Sequence, residues 1–239
     1  MTELLFRADA YLAEATARVV AATPMGVVLD RTVFYAAAGG QPGDTGVLRR
    51  ADGTAAAVID TVKGENGSIL HRLAEGAAVP EPGEEVMAAI DWPRRHRLMR
   101  MHTALHLLCA LIPGAAVTGG AIGDGKGRLD FDLPAAPDRA ALDEGLARLI
   151  ADNHPVSEHW IGEEALDANP HLVRTLSVKP PRGAGRVRLV RIGAGDPPVD
   201  LQPCGGTHVR ATAEIGRVSI AKVENKGRQN RRIVLVLEP

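Results

Sequence analysis

Short runs of valine, isoleucine and alanine fill the first 90 positions, broken every few residues by glycine, proline, aspartate or asparagine. Residues 15–21, 27–29, 55–62, 69–73 and 85–90 therefore read as strands. The alanines of the first also suit a helix. Between them lies Thr32-Val-Phe-Tyr-Ala-Ala-Ala-Gly-Gly-Gln-Pro-Gly-Asp-Thr-Gly46. No regular element fits that stretch, so it is expected to be an ordered loop. The period then changes. Leu98, Met101, Leu105, Leu108 and Ile112 fall at helical spacing. Asp91 can cap that helix, Pro93 is tolerated in its first turn, and Pro113-Gly114 stops it. Residues 116–121 and 128–133 read as a hairpin across 123–127. A second helix over 138–152 turns Leu142, Leu146, Leu149 and Ile150 inward. Strands at 156–161, 187–192, 217–223 and 233–237 complete an α+β pattern. The boundary between two domains, 1–90 and 91–239, is expected just before Asp91.

Composition adds three points. Hydrophobic residues make up 45% of the 239, enough for a core, but aromatics are only 3%, so that core is aliphatic. The net charge of −1 conceals an asymmetry. Residues 1–90 hold 7 Lys/Arg against 12 Asp/Glu, and residues 91–239 hold 21 against 17. A polyanionic partner is thus expected on the second part. Two cysteines make no disulfide framework, no stretch resembles a signal-peptide core, and no run of about 18 apolar residues occurs. A reducing, cytoplasmic setting without a membrane span is expected.

The candidate chemistry sits in two short segments. His102 and His106 are four apart on the predicted helix, so both imidazoles project from one face and can grip one ion. Alone the pair is a weak motif. Cys204-Gly-Gly-Thr-His208 supplies a second pair with the same gap. Two glycines cost a helix interior about 2 kcal/mol relative to alanine, so this pair belongs on a loop, where glycine lets the chain fold back. Three imidazoles and a thiol suit one tetrahedral Zn2+ per chain. Asp200 and Gln202 stand just upstream and can orient a ligand or a water. Cys109, among leucines, reads as a core residue.

These residues together are specific. His102-x-x-x-His106 with Cys204-Gly-Gly-Thr-His208 resembles the editing domain of alanyl-tRNA synthetase, and related sites occur in threonyl-tRNA synthetase. Phe34-Tyr35, Gly39-Gly40-Gln41 and Asp44-x-Gly46 resemble that family's glycine-rich segment. Asp152-Asn-His-Pro-Val156 and Lys226-Gly-Arg-Gln-Asn-Arg-Arg232 are similar to further family features. The resemblance runs from about residue 15 to the end. With no aminoacylation domain ahead of it, the match is to the free-standing AlaX-type editing proteins in their medium-length form. It implies an N-terminal β-barrel followed by a two-layer α+β editing domain with a mainly antiparallel sheet. It also implies hydrolysis of tRNA(Ala) mischarged with serine, or with glycine.

Carried over by position, the resemblance makes His102, His106, Cys204 and His208 the zinc ligands. Thr32 matches a threonine that faces the aminoacyl pocket, although Ala36 stands where family members often have proline. Thr32, Gln41 and Gln202 are the candidate partners of a substrate hydroxyl or a water, with Thr32 and Gln202 as catalytic candidates. A pocket built around a serine hydroxyl rejects alanine because a polar group would be left unpaired. Zinc can either activate water or anchor the amino acid. Residues 174–191 hold six Lys/Arg and no acid, and Lys222–Arg232 hold five against Glu224. Arg228, Arg231 and Arg232, with Arg94, Arg95, Arg97 and Arg100, are candidate phosphate contacts, for tRNA rather than DNA. Two other readings stand beside this one: an RNA-binding module with a structural zinc and no catalysis, and a zinc hydrolase for small esters or amides.

Overall fold

Period-two burial decides the first ambiguous segment. β1 (Glu3–Leu4) is followed by β2 (Glu14–Thr23), in which Ala17 and Val19 are buried between exposed neighbours. Residues 15–21 are therefore strand, not helix. The structure, a computed structural model, describes residues 1–23, 25–176 and 185–238. The chain divides into two compact units, Met1–His96 and Arg97–Pro239.

In the first unit, β3 (Gly26–Leu29), β4 (Arg31–Thr32), β5 (Gly46–Arg50), β6 (Ala55–Lys63), β7 (Ile69–Leu73) and β8 (Glu85–Ile90) follow in order. Six strands close into a barrel, β2-β3-β7-β6-β5-β8, with every neighbour antiparallel. Closure leaves the barrel no free edge. Its interior is aliphatic, with Val19, Leu29, Leu48, Val58, Val86 and Ala88 buried against Phe34. The short strand β4 pairs in parallel with β1.

The segment between β4 and β5 is irregular, as expected, and tightly held. Ala38 and Gln41 exchange both backbone hydrogen bonds, at 3.1 and 2.9 Å. Gly39 and Gly40 between them have φ of 57° and 83°, the left-handed pair that a type I′ turn requires. Asp44 accepts from the Tyr35 amide at 2.6 Å and from Arg95 Nε at 3.0 and 2.9 Å. Arg95 is fully buried and also donates to the carbonyls of Ala10 (2.9 Å) and Val33 (2.7 Å). It is a structural cation of the barrel unit, which corrects its sequence assignment as a phosphate contact.

His71 is fully buried on β7. Its Nδ1 lies 3.0 Å from the Val27 carbonyl and its Nε2 2.7 Å from the Thr32 hydroxyl. The carbonyl can only accept, so Nδ1 donates and the neutral ring takes the Thr32 proton at Nε2. Burial, against the opposing Val27 hydrogen bond, lowers its pKa to about 4. The unfolded chain protonates this histidine near pH 6.5 and the native one does not. Stability is therefore whole above about pH 6.5 and falls as pH drops toward 4, by about 3 kcal/mol in total. A urea series across pH 7.5 to 4.5 checks this. His71→Gln should flatten the contribution, and an unchanged profile in that variant would refute the assignment.

In the second part of the chain, α1 (Trp92–Leu111) begins at Asp91, whose Oδ1 accepts from the Arg94 amide at 3.1 Å. Then come β9 (Val117–Ile122), β10 (Lys126–Asp132), α2 (Arg139–Ala151), β11 (Val156–Gly162), α3 (Glu163–Asp167), β12 (Arg186–Ile192), β13 (Asp200–Pro203), β14 (Val218–Asn225) and β15 (Asn230–Leu237). They form two antiparallel sheets, ordered β14-β15-β10-β9 and β11-β12-β13. The architecture is α+β with an N-terminal barrel, as the resemblance implied. Asp138 caps α2, accepting from Ala140 and Ala141 amides at 2.9 and 3.3 Å.

One face of the larger sheet is apolar, with Phe131, Ile220, Ile233 and Leu235 buried. Gly127 permits the close approach of α1 on that face: a Cβ there would stand 2.6 Å from Met101 Sδ. The next residue along that helix is His102. Among the described residues no helix is long and apolar enough to cross a membrane.

Candidate metal centre

His102 and His106 leave α1 on one face, with ring centroids 5.3 Å apart. Leu98, Met99, Met101, Leu105, Leu107 and Leu108 around the rest of the helix are buried. β13 is an edge strand, so Pro203, which donates no hydrogen bond, is tolerated at its end. Cys204 is the first residue beyond it. The following glycines turn the chain so that His208 returns toward Cys204, with its Nε2 3.2 Å from Sγ. His102 Nε2 lies 3.5 Å from the same sulfur. One donor atom from each of His102, His106, Cys204 and His208 lies within 4.8 Å of the other three.

This arrangement fits a zinc ion. With Zn–N near 2.05 Å and Zn–S near 2.3 Å, tetrahedral geometry places N and S about 3.5 Å apart. The His102 separation matches that figure and the His208 one, at 3.2 Å, is slightly shorter, and the three-nitrogen, one-sulfur set is one that zinc favours.

The next layer of residues fixes which nitrogen faces the ion. The Thr103 hydroxyl donates to the Met99 carbonyl at 3.0 Å, so it accepts from His208 Nδ1 at 3.1 Å and from the Val209 amide at 3.3 Å. The Asp200 carboxylate accepts from His106 Nδ1 at 2.8 Å. Both rings therefore turn a bare Nε2 inward. Gln202 donates to Asp200 at 2.9 Å, lies 3.2 Å from His106 Nδ1, and bonds the Cys109 thiol. Its amide fixes the Asp200 carboxylate that in turn orients His106, so its place in the structure is that of a positioning residue.

Protonation follows the same contacts. Burial opposes ionisation of Cys204, but His102 and His208 beside it hold the thiol well below its ordinary range. Burial and His102 hold His208 well below the usual imidazole value. Burial would lower His106 too, yet Asp200 and the Cys204 sulfur push it up to about 10. Without an ion His106 is thus held protonated at neutral pH, and a metal must displace the Nε2 proton, because a thiolate and a neutral imidazole are the ligating forms. Cys109 is pushed up to about 12, chiefly by burial and then by Asp200, consistent with an inert core thiol.

Replacing Asp200 with asparagine keeps the shape and removes the charge behind His106. Loss of such an outer partner typically costs 10- to 100-fold in metal affinity. Competition with a zinc-binding dye should register that loss, and undiminished affinity would show that the Asp200–His106 bond is incidental.

Sequence reasoning missed Thr103 and Arg188. Arg188 was counted among the phosphate contacts of 174–191, but it is buried. Its guanidinium donates to the Cys204 carbonyl at 2.7 Å, to the Gly206 carbonyl at 3.0 Å and to Glu158 at 2.7 Å. It holds the ligand loop closed. A hydroxyl directly after His102, in the middle of an apolar helix, was the available signal for Thr103. Nothing in the spacing singled out Arg188.

The family model described as the threonyl and alanyl tRNA synthetase second additional domain matches residues 187–234. That for class II (A) tRNA synthetases matches residues 7–94. The chain is 38% identical to the alanyl-tRNA editing protein AlaX-M of Methanosarcina acetivorans over 99% of both chains. It is 35% identical to the AlaX-M protein of Saccharolobus solfataricus over the whole of both. The chain belongs to the AlaX-M family of alanyl-tRNA editing proteins. The alanine–tRNA ligase of Pyrobaculum aerophilum is 36% identical over 93% of this chain, which spans 25% of that ligase.

The second-additional-domain match, residues 187–234, takes in Arg188, Gln202, Cys204 and His208, whereas His102 and His106 precede it. The remaining sequence candidates fall as follows. Thr32 and Gln41 are buried in the first unit, where the Thr32 hydroxyl serves His71 and the Phe34 amide. Arg231 is buried, its guanidinium donating to the carbonyls of Gly227, Asn230 and Pro134. Arg232 pairs with Asp130 at 2.7 and 2.8 Å and stays partly open to solvent. Arg228 contributes a carbonyl to the Arg231 turn. Arg94 donates to the Gly43 carbonyl, Arg97 pairs with Asp124 and Arg100 donates to the Ile215 carbonyl. Lys179 and Arg182 lie outside the described residues.

Proposed function

We propose that the chain is a trans-editing deacylase that hydrolyses the ester joining a wrong amino acid, chiefly serine, to the 3′ ribose of tRNA(Ala). The observation that carries the reading is the convergence of His102, His106, Cys204 and His208 within 4.8 Å, in a member of a family named for alanyl-tRNA editing. One zinc ion per chain would be held by those four residues. A bound zinc supplies Lewis acidity at the ester carbonyl, worth several kcal/mol.

The chain's own residues do the rest. Asp200 and Thr103 hold two imidazoles with Nε2 inward, and Arg188 keeps the Cys204–Gly206 turn in place. Pro203, Cys204 and Gly205 are only partly buried, so the centre has a rim open to solvent. The outer face of the larger sheet carries Lys126, Arg128, Lys222 and Arg232 with Glu224 around a cleft of about 380 Å³. Arg128 and Arg232 pair with Asp130 and Lys222 with Glu224, leaving a net positive surface that suits a phosphate backbone. The reading brings with it a cytoplasmic location, where charged tRNA is used.

One observation favours a second reading. Four protein donors ordinarily close a zinc site and make it structural, which would leave an RNA-binding module without catalysis. A deacylation panel separates the two. Seryl-, glycyl- and alanyl-tRNA(Ala) are incubated with metal-loaded and chelator-treated protein. Release of serine, loss of that release on chelation and survival of alanyl-tRNA(Ala) are expected. Intact seryl-tRNA(Ala) at high protein concentration would overturn the proposal.

A further inference from the structure

Trp160 is one of only two tryptophans in the chain, and 47% of it is exposed. It stands on β11 directly opposite Arg188 of β12. The Arg186 guanidinium covers the indole, 4.7 Å from the ring centroid. Paired residues of an antiparallel sheet point to the same side. The pairings Trp160–Arg188, Gly162–Arg186, Val190–Gln202 and Ile192–Asp200 therefore put Trp160 and Arg186 on the face that carries Gln202 and Asp200. Arg188, beside the indole, is the residue that grips the carbonyls of Cys204 and Gly206. The indole thus lies on the sheet face that carries Asp200 and Gln202, two strands from β13 and separated from the ligand loop by Arg188.

A surface cation–π contact gains little, and an apolar ring half in water is a standing cost. The pair is nonetheless suited to one kind of ligand. Nucleobases stack on indole and guanidinium planes, and the cation favours the adjoining phosphate. With aromatics at 3% of the chain, few other side chains offer such a surface. Resting on the deacylase reading, we propose that Trp160, backed by Arg186, is a stacking platform for a nucleobase in the single-stranded 3′ end of the tRNA whose ester faces the metal centre. The platform binds a base through its π face, so it grips the strand with little discrimination among bases and sets the register of the ester.

The test separates this from the deacylase reading itself. In full-length Trp92→Phe protein, Trp160 is the sole tryptophan. Its fluorescence is titrated with a short uncharged RNA ending in CCA, with an abasic RNA of the same length, and with polyphosphate. Saturable quenching by the first alone is expected. Trp160→Ala should weaken RNA binding about 5- to 150-fold, with Trp160→Phe retaining most of it. On mischarged tRNA, Trp160→Ala should raise KM and spare kcat. Equal quenching by the abasic strand, or undiminished RNA binding by Trp160→Ala, overturns the platform even where deacylation is intact. Stacking without deacylation would sink the enzyme reading and leave the base contact standing.

Discussion

His208→Ala protein is expected to lose its metal and with it at least about 10³-fold in deacylation. The magnitude follows from the several kcal/mol that a Lewis acid contributes at an ester carbonyl, at 1.36 kcal/mol for each tenfold. The substitution removes one of four donors and also the hydrogen bond that ties the ligand loop to Thr103. Metal per chain after dialysis, measured beside single-turnover hydrolysis of seryl-tRNA(Ala), reads both effects. A thermal melt adds a third axis. A variant that stays folded while turnover collapses places the ion in the reaction, whereas an unfolded variant places it in the scaffold. Full turnover in a chain shown to hold no metal would end the case for this centre.

The second large effect concerns stability. Asp44→Ala leaves the Arg95 guanidinium fully buried beside two carbonyls that only partly satisfy it. Breaking a buried pair on one side costs about 3–5 kcal/mol, because an uncompensated charge stays in the interior. For a unit of this size that lowers the midpoint by on the order of 15 °C. Replacing both partners with apolar residues of similar volume is often close to neutral. The Asp44→Leu, Arg95→Met double variant should therefore recover much of the loss. Calorimetry of the wild type, the single and the double closes the cycle. A single variant within about 1 kcal/mol of wild type would refute the account.

Periodicity made most elements legible. The change from period two to period 3.6 after Asp91 marked α1, and the spacing of Leu142, Leu146, Leu149 and Ile150 marked α2. The strands that escaped notice were short or polar. β5 reads Gly-Val-Leu-Arg-Arg, and its register in the barrel comes from neighbours on both sides. β13 reads Asp-Leu-Gln-Pro and is a strand only because β12 pairs with it. The metal donors were legible because their chemistry is scarce and their spacing unusual. The arginines were not, because charge alone does not reveal direction. Arg95, Arg188 and Arg231 are turned inward onto carbonyls and carboxylates that lie far off in sequence.

The donors at 102 and 208 lie about a hundred positions apart, and this spacing has a consequence for assembly. An ion gripping both ends ties off a long loop much as a covalent cross-link does. For a loop of that size the lost freedom of the unfolded chain amounts to about 4–5 kcal/mol. Such a loop could close only after the hundred or so residues between the two pairs had been made. Were a metal held there, its scarcity would act first on newly made chains, before it touched those already tied.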